Sequence, residues 1–237
     1  MEQLVVVAII ALLAALLYPT MKSVIDSAKT TKCQSHMRQL VLACHAFAAD
    51  NGGSLPPLYT WKGLFPEIEQ TTDKIASGAG VIAWTDIIRP YVGNDAAFSC
   101  PALRSNATTG AGGISSATHP LGIGINYETV GPIWKPKEEF QKLIRVENHS
   151  KVVIFADAGG GDFATGDFKN RKDTPGCGSV FIRGTTESGE GVIPRHRGKA
   201  NVAFLDGHVQ LLSPTEIDWG VRNSSTPAVG WGDATWK

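Results

Sequence analysis

The sequence predicts an α+β protein: one long N-terminal helix, its first half hydrophobic, packed on a small antiparallel β-sheet domain with long loops. Three observations predict it. Leu4 to Leu17 is an unbroken run of 14 apolar residues. Apolar residues then recur at helical spacing from Met21 to Ala49. After Gly53 that period gives way to short apolar runs set between clusters of Gly, Pro, Asn and Asp.

The apolar run comes first. As a helix it covers about 21 Å at ~1.5 Å per residue, whereas a bilayer core of about 30 Å needs roughly 20 such residues. A cleaved secretory signal should begin with basic residues and end at a small-x-small site. Here the start is Met1-Glu2-Gln3 and the end is Leu16-Leu17-Tyr18-Pro19. A helix at the surface of a core would carry a polar face, and this run has none. Glu2 stands at its edge. A carboxylate at mid-bilayer costs about 2.5–3.5 kcal/mol, so Glu2 either has a partner or lies solvated among head groups.

The helix is expected to continue past Pro19, with a kink there, because proline removes a backbone donor and clashes with the preceding turn. Val24, Ala28, Met37, Leu40, Val41, Cys44, Phe47 and Ala48 form its apolar side, and Lys22, Lys29, Lys32, Gln34, Arg38 and Gln39 fill other faces. Asp50-Asn51-Gly52-Gly53, with Pro56-Pro57 beyond, ends it. The chain is thereby divided into a helix over residues 1–53 and a β-rich domain over 54–237.

In the second part, Val81 to Ile88 reads as an apolar run leading into a short helix ahead of Pro90. Gly122 to Tyr127 reads as a strand, Glu138 to Ile144 as a short helix, and Lys151 to Ala156 as a strand closed by Asp157 and a Gly triplet. A long polar loop runs from Gly159 to Cys177, and Val180 to Arg183 is another strand candidate. Asn201 to Leu212 is the clearest element: two apolar stretches flank Asp206-Gly207, a hairpin signal in which Gly207 supplies the positive φ of a tight turn. Gly220 to Lys237, rich in Gly, Ser and Pro, reads as a tail.

Composition bounds the function. The 22 basic and 22 acidic residues cancel, which argues against nucleic acid as a partner, since phosphate binding needs a net basic face. There is no Gly-x-Ser-x-Gly, no His-Glu-x-x-His and no phosphate-binding glycine loop followed by Lys-Ser/Thr. The expectation is therefore that the chain is not an enzyme.

Four residues could ligate a metal. His196, Asp206 and His208 lie within 13 residues, and Asp157 closes a strand that could neighbour their hairpin. Nitrogen and oxygen donors suit zinc or another borderline metal. Calcium wants more oxygens, which Asp162, Asp167 and the 159–177 loop could add. Each residue also has a local explanation. Asp206 stabilises an Asp-Gly turn, His208 follows it, and His196 hydrogen-bonds the hairpin backbone. The four cysteines lack metal-type spacing. Cys33 and Cys44 stand about 16 Å apart on one helix at ~1.5 Å per residue, too far for a disulfide. Cys33–Cys100 is the preferred cross-link, with buried thiols as the alternative.

Glu2, the apolar residues through Leu17, and Pro19 together resemble the N-terminus of type IV pilins and type II secretion pseudopilins. Glu2 falls on that family's glutamate and Pro19 on its helix-kinking proline. A second resemblance lies in Arg195-His196, nine residues, then Asp206-Gly207. It is similar to the His-x9-Asp-Gly segment of a prepilin-like family of planctomycetes and verrucomicrobia, together with Cys33 to Leu40, Phe98-Ser99-Cys100-Pro101, Gly124-Ile125-Asn126-Tyr127 and Val153 to Asp157. The resemblance implies a pilin-like fold and assembly through the N-terminal helix. Glu2 would meet the amine of a neighbouring subunit, and Pro19 would shape the helix. It implies as partners copies of itself, other pilin-like subunits, the inner-membrane secretion or pilus assembly machinery and a prepilin peptidase. It also implies that Met1 is an internal methionine, with a basic leader and a methylated mature start encoded upstream. The location implied is the bacterial inner membrane, single-pass, with the C-terminal domain periplasmic or in an extracytoplasmic filament. Major secretion pseudopilins also have a calcium-binding loop near the C-terminus. The alternative is a membrane-anchored binding module or metal-dependent hydrolase that uses the same anchor.

Overall fold

The structure is a computed structural model that describes residues 2–68, 80–103, 122–130, 136–160, 181–182 and 190–217. One helix, α1, runs from Glu2 to Asp50 and continues through Pro19. It ends where the sequence demands: Gly52 and Gly53 both take positive φ, and the Gly53 amide closes on the Ala48 carbonyl at 2.7 Å.

The two halves of α1 differ in environment. From Cys33 onward, Cys33, Met37, Leu40, Val41, Cys44, Phe47 and Ala48 are buried, one stripe at i, i+4, i+7 and i+8 spacing. Polar side chains pin the same half to the domain. His36 Nδ1 lies 2.9 Å from the Ser99 carbonyl, His45 Nε2 lies 2.7 Å from the Leu205 carbonyl, and Gln34 donates to Asn201 Oδ1 at 3.2 Å. The Arg197 guanidinium reaches Ser23 Oγ at 2.7 Å. N-terminal to that point, Val5, Val6, Val7, Ile9, Ile10, Leu12 and Leu13 are 53–64% exposed. Among the described residues no helix is long and apolar enough to cross a membrane.

Among the described residues the domain holds two sheets. The smaller pairs β1 (Tyr59–Trp61) with β2 (Val81–Ala83), antiparallel. The larger has six strands: β3 (Ile123–Asn126), β4 (Val153–Gly160), β5 (Phe181–Ile182), β6 (Glu190–Val192), β7 (Ala200–Phe204) and β8 (Val209–Leu212). Its order is β5-β3-β4-β7-β8, with β6 pairing the far end of β4. The expected antiparallel sheet is thus mixed, because β3 and β5 run parallel. They approach closely at Gly124, where a Cβ would stand 2.6 Å from Ala158 Cβ and 2.8 Å from the Phe181 carbonyl carbon. The core under α1 is aromatic: Trp84 lies against Phe155 at 5.0 Å and Phe98 at 5.8 Å between ring centroids.

Several elements differ from expectation. The helix after β2, α2 (Trp84–Val92), includes Pro90 instead of stopping before it. Residues expected as a helix over Glu138–Ile144 form two separate single-turn 3-10 segments, Lys137–Glu139 and Leu143–Arg145. Strand β4 does not end at Asp157 but runs on to Gly160, because β6 pairs with Ala158, Gly159 and Gly160. A one-turn helix, α3 (Tyr127–Val130), follows β3. The 161–177 loop with Asp162, Asp167 and Cys177, and the tail from 220 on, lie outside the described residues.

Candidate metal centre

Four elements converge beneath the point where α1 leaves the domain. Cys33 comes from the first buried turn of α1. Cys100 follows the 3-10 turn Asp95–Phe98. Asp157 sits in the middle of β4, paired with Ile123 of β3. His196 opens a tight turn between β6 and β7: its amide bonds the Lys199 carbonyl at 2.8 Å and Lys199 returns the bond at 3.1 Å. The two central residues, Arg197 and Gly198, have φ of 54° and 79°, as a type I′ turn requires.

The four side chains are buried, and one donor atom of each lies within 4.8 Å of the other three. The Cys33 thiol faces Asp157 Oδ1 at 3.5 Å, and Cys100 Sγ faces His196 Nε2 at 3.4 Å. The same Nε2 stands 3.2 Å from Asp157 Oδ2. Asp157 Oδ2 also accepts the Asn201 amide at 2.7 Å, which ties the carboxylate to β7. Arg195 lies 3.7 Å from Asp157 Oδ1, and its guanidinium donates to the Gly122 and Ala158 carbonyls. These groups could hold a metal ion. Cys33 and Cys100, expected as a cross-link or as buried thiols, stand side by side as thiols.

The tautomer of His196 follows from its neighbours. Thr30 Oγ1 donates its only proton to the Asp26 carbonyl at 2.9 Å, so at 3.0 Å from His196 Nδ1 it can only accept. Nδ1 therefore carries hydrogen, and in the neutral ring the Nε2 lone pair points at a carboxylate and a sulfur. Like charge there is relieved by a proton or by a metal ion. Without metal, burial pushes the imidazole pKa down, but hydrogen bonds to Asp157 and Cys100 outweigh it and hold the pKa at about 9. Cys33 is pushed well up by hydrogen bonding to Cys100, by burial and by the Asp157 charge. Cys100 is lowered, chiefly because it accepts from Cys33.

A cysteine nucleophile is a poor description of this arrangement. In a nucleophile–histidine–acid relay the acid orients Nδ1 while the nucleophile meets Nε2. Here sulfur and carboxylate share Nε2, Nδ1 serves a threonine, and all four groups are buried.

Of the residues the sequence proposed as ligands, Asp157 and His196 are brought together. Asp206 and His208 instead bond each other at the β7–β8 turn, Oδ1 to Nδ1 at 2.6 Å. The His208 amide also donates to Asp206 Oδ1 at 3.1 Å. The His208 ring stacks on Phe204 at 4.2 Å between centroids. His196 does not bond the hairpin with its side chain; the ring faces Thr30, Cys100 and Asp157. Sequence reading missed Cys33 and Cys100 as donors because they are separated along the chain and carry no ligand spacing. Glu2 and Pro19 lie on α1, and their side chains are outside the described residues. A scan against protein-family models and searches of curated proteins and of solved structures gave no match.

Proposed function

We propose that the chain is a pseudopilin-like structural subunit of a type II secretion or type IV pilus-like assembly, polymerising through the N-terminal part of α1. One observation carries this reading: seven large apolar side chains between Val5 and Leu13 are each more than half exposed. At ~100° per residue they spread over about 220° of the helix, the remaining face belongs to Leu4, Ala8, Ala11 and Ala15 of the same run, and a helix apolar all round belongs inside a bundle or a bilayer. Fully burying such a side chain contributes about 1.5–3 kcal/mol, so each of these leaves roughly 1 kcal/mol unused in water. A single partner would cover one face only. Several neighbouring copies, or lipid before assembly, would cover them all.

On this reading the segment from Glu2 to about Lys22 is a stem about 30 Å long at ~1.5 Å per residue. Glu2, near its tip, compensates a neighbouring subunit's charge, and the domain faces outward from a bacterial inner membrane. The partners are copies of the chain, other pilin-like subunits, assembly machinery and, before assembly, a prepilin peptidase. Substituting Glu2→Ala in the chain translated from its natural start tests this. The expected result is loss of filament or secretion while the domain keeps its thermal transition. Unchanged assembly contradicts the role of Glu2.

The role is structural and not catalytic. For the cofactor we propose a divalent cation at the buried Cys33, Cys100, Asp157 and His196 group. Of calcium and zinc, the two ions the sequence suggested, the donors favour zinc, since calcium takes six to eight oxygens while zinc accepts thiolate and imidazole. Elemental analysis of the reduced chain tests it. One equivalent of a transition-series ion supports the reading, and calcium alone contradicts the choice of ion.

A further inference from the structure

We propose that Cys33, Cys100, Asp157 and His196 form a closed, tetrahedral, structural Zn2+ centre that clamps α1 to the sheet at the base of the stem. It deepens the divalent-cation reading and is independent of the assembly reading. In a tetrahedral zinc site sulfur lies about 2.3 Å and nitrogen or oxygen about 2.0 Å from the metal. Simple trigonometry then separates sulfur from nitrogen by about 3.5 Å, sulfur from oxygen by about 3.5 Å and nitrogen from oxygen by about 3.3 Å. Three of the six donor pairs stand at 3.4, 3.5 and 3.2 Å, and the four donor atoms all lie within 4.8 Å of one another. The carboxylate divides its oxygens between sulfur and ring, so a turn about its last bond brings one of them onto the metal.

The surroundings fit as well. Thr30 holds hydrogen on Nδ1 and leaves Nε2 as the ligand atom, the outer-shell arrangement usual for metal-bound histidine. Asn201 Nδ2, beside Cys33, is buried with no hydrogen-bond partner among the described residues, a donor left for a thiolate to accept. With both cysteines as thiolates, their charges and that of Asp157 are cancelled by the ion and the buried Arg195. Four protein donors leave no open position for a substrate, which separates a structural from a catalytic zinc site. The elements joined are α1, the segment after Phe98, β4 and the β6–β7 turn. A disulfide between Cys33 and Cys100 would consume both sulfurs, so disulfide and metal are mutually exclusive.

The test uses the full chain, reduced and loaded with Co2+ and, separately, Cd2+. One equivalent should bind. Cobalt should give the visible bands of a tetrahedral site with sulfur-to-metal charge transfer, and the cadmium-113 resonance should report two sulfur ligands. Cys33→Ser should lose the two-sulfur signature, while Cys44→Ala should keep it. Thr30→Val leaves all four donors in place and should weaken affinity about 10–100-fold. Three results would overturn the centre. The first is a Cys33–Cys100 disulfide in protein taken from its native compartment, with no bound metal. The second is failure of the reduced chain to bind either ion, which also removes the divalent-cation reading. The third is one equivalent of Co2+ bound with octahedral bands and no sulfur-to-metal charge transfer, yet lost in His196→Ala, which removes this closed tetrahedral centre and leaves the broader reading standing.

Discussion

The two halves of α1 both carry large apolar side chains, the N-terminal half many more of them, and put them to different uses. From Cys33 to Ala48 they form one stripe and are buried; the remaining faces carry exposed residues such as Arg38, Gln39 and Leu42. From Val5 to Leu13 they spread over about 220° of a helix with no polar face, and are exposed. Apolar content and its periodicity both mark the difference. A stripe is satisfied by one surface, here the domain's own sheet. A helix apolar all round needs surroundings on all sides, which the described residues do not supply.

Substitutions in the two halves should separate accordingly. Phe47→Ala, in the buried half beside Phe65 and Tyr91, should destabilise the domain by about 3–5 kcal/mol in chemical denaturation. A loss below about 1 kcal/mol would mean that α1 is not docked as described. Gly124→Ala tests the sheet under that half. Its Cβ meets Ala158 and the Phe181 backbone, so a loss of about 1–3 kcal/mol or more is expected, read by the same method. A neutral result would break the β3–β5 pairing.

Two Asp–His pairs offer a second, smaller contrast. Asp157 and His196 are buried, whereas Asp206 and His208 are about one-third exposed. Slight burial raises the Asp206 pKa, but the His208 amide and ring outweigh it and hold the carboxyl below its ordinary value. A depressed carboxyl contributes stability that is present above its unfolded pKa and lost as pH falls through the folded one. Asp206→Asn should therefore lower stability by less than about 1 kcal/mol near neutrality. The difference from wild type should vanish on acidification below the ordinary aspartate range. A difference that grows with acid would reverse the sign. The smallest effect is expected for Leu12→Ser, which should leave the domain's unfolding transition unchanged within about 0.5 kcal/mol. A larger shift would show that the stem is part of the domain's core.

Sequence carries information about contacts that are local or periodic. The helix over 2–50 and its end at Gly52-Gly53 were legible because spacing and glycine chemistry act within a few residues. The β7–β8 hairpin was legible for the same reason, from Asp206-Gly207. The extension of β4 past Asp157 was not, since a Gly triplet reads as a break until β6 pairs with it. Nor was the parallel β3–β5 pair, which joins segments distant along the chain. At the centre, Asp157 and His196 could be singled out by residue type. Asp206 and His208 were drawn into the same set by proximity in sequence, and that same proximity pairs them with each other instead. Cys33 and Cys100 become neighbours of Asp157 and His196 only when α1 docks.

The central claim is that residues between Val5 and Leu13 belong against other copies of the stem or in lipid. Sedimentation velocity of the full chain, translated from its natural start codon and measured as detergent is removed, tests it most directly, with Val6→Asn, Ile10→Asn and Leu13→Asn combined as the comparison. The natural chain should assemble or partition into added vesicles while the triple variant sediments as a folded monomer. A natural chain that stays monomeric in detergent-free buffer and ignores vesicles would contradict it.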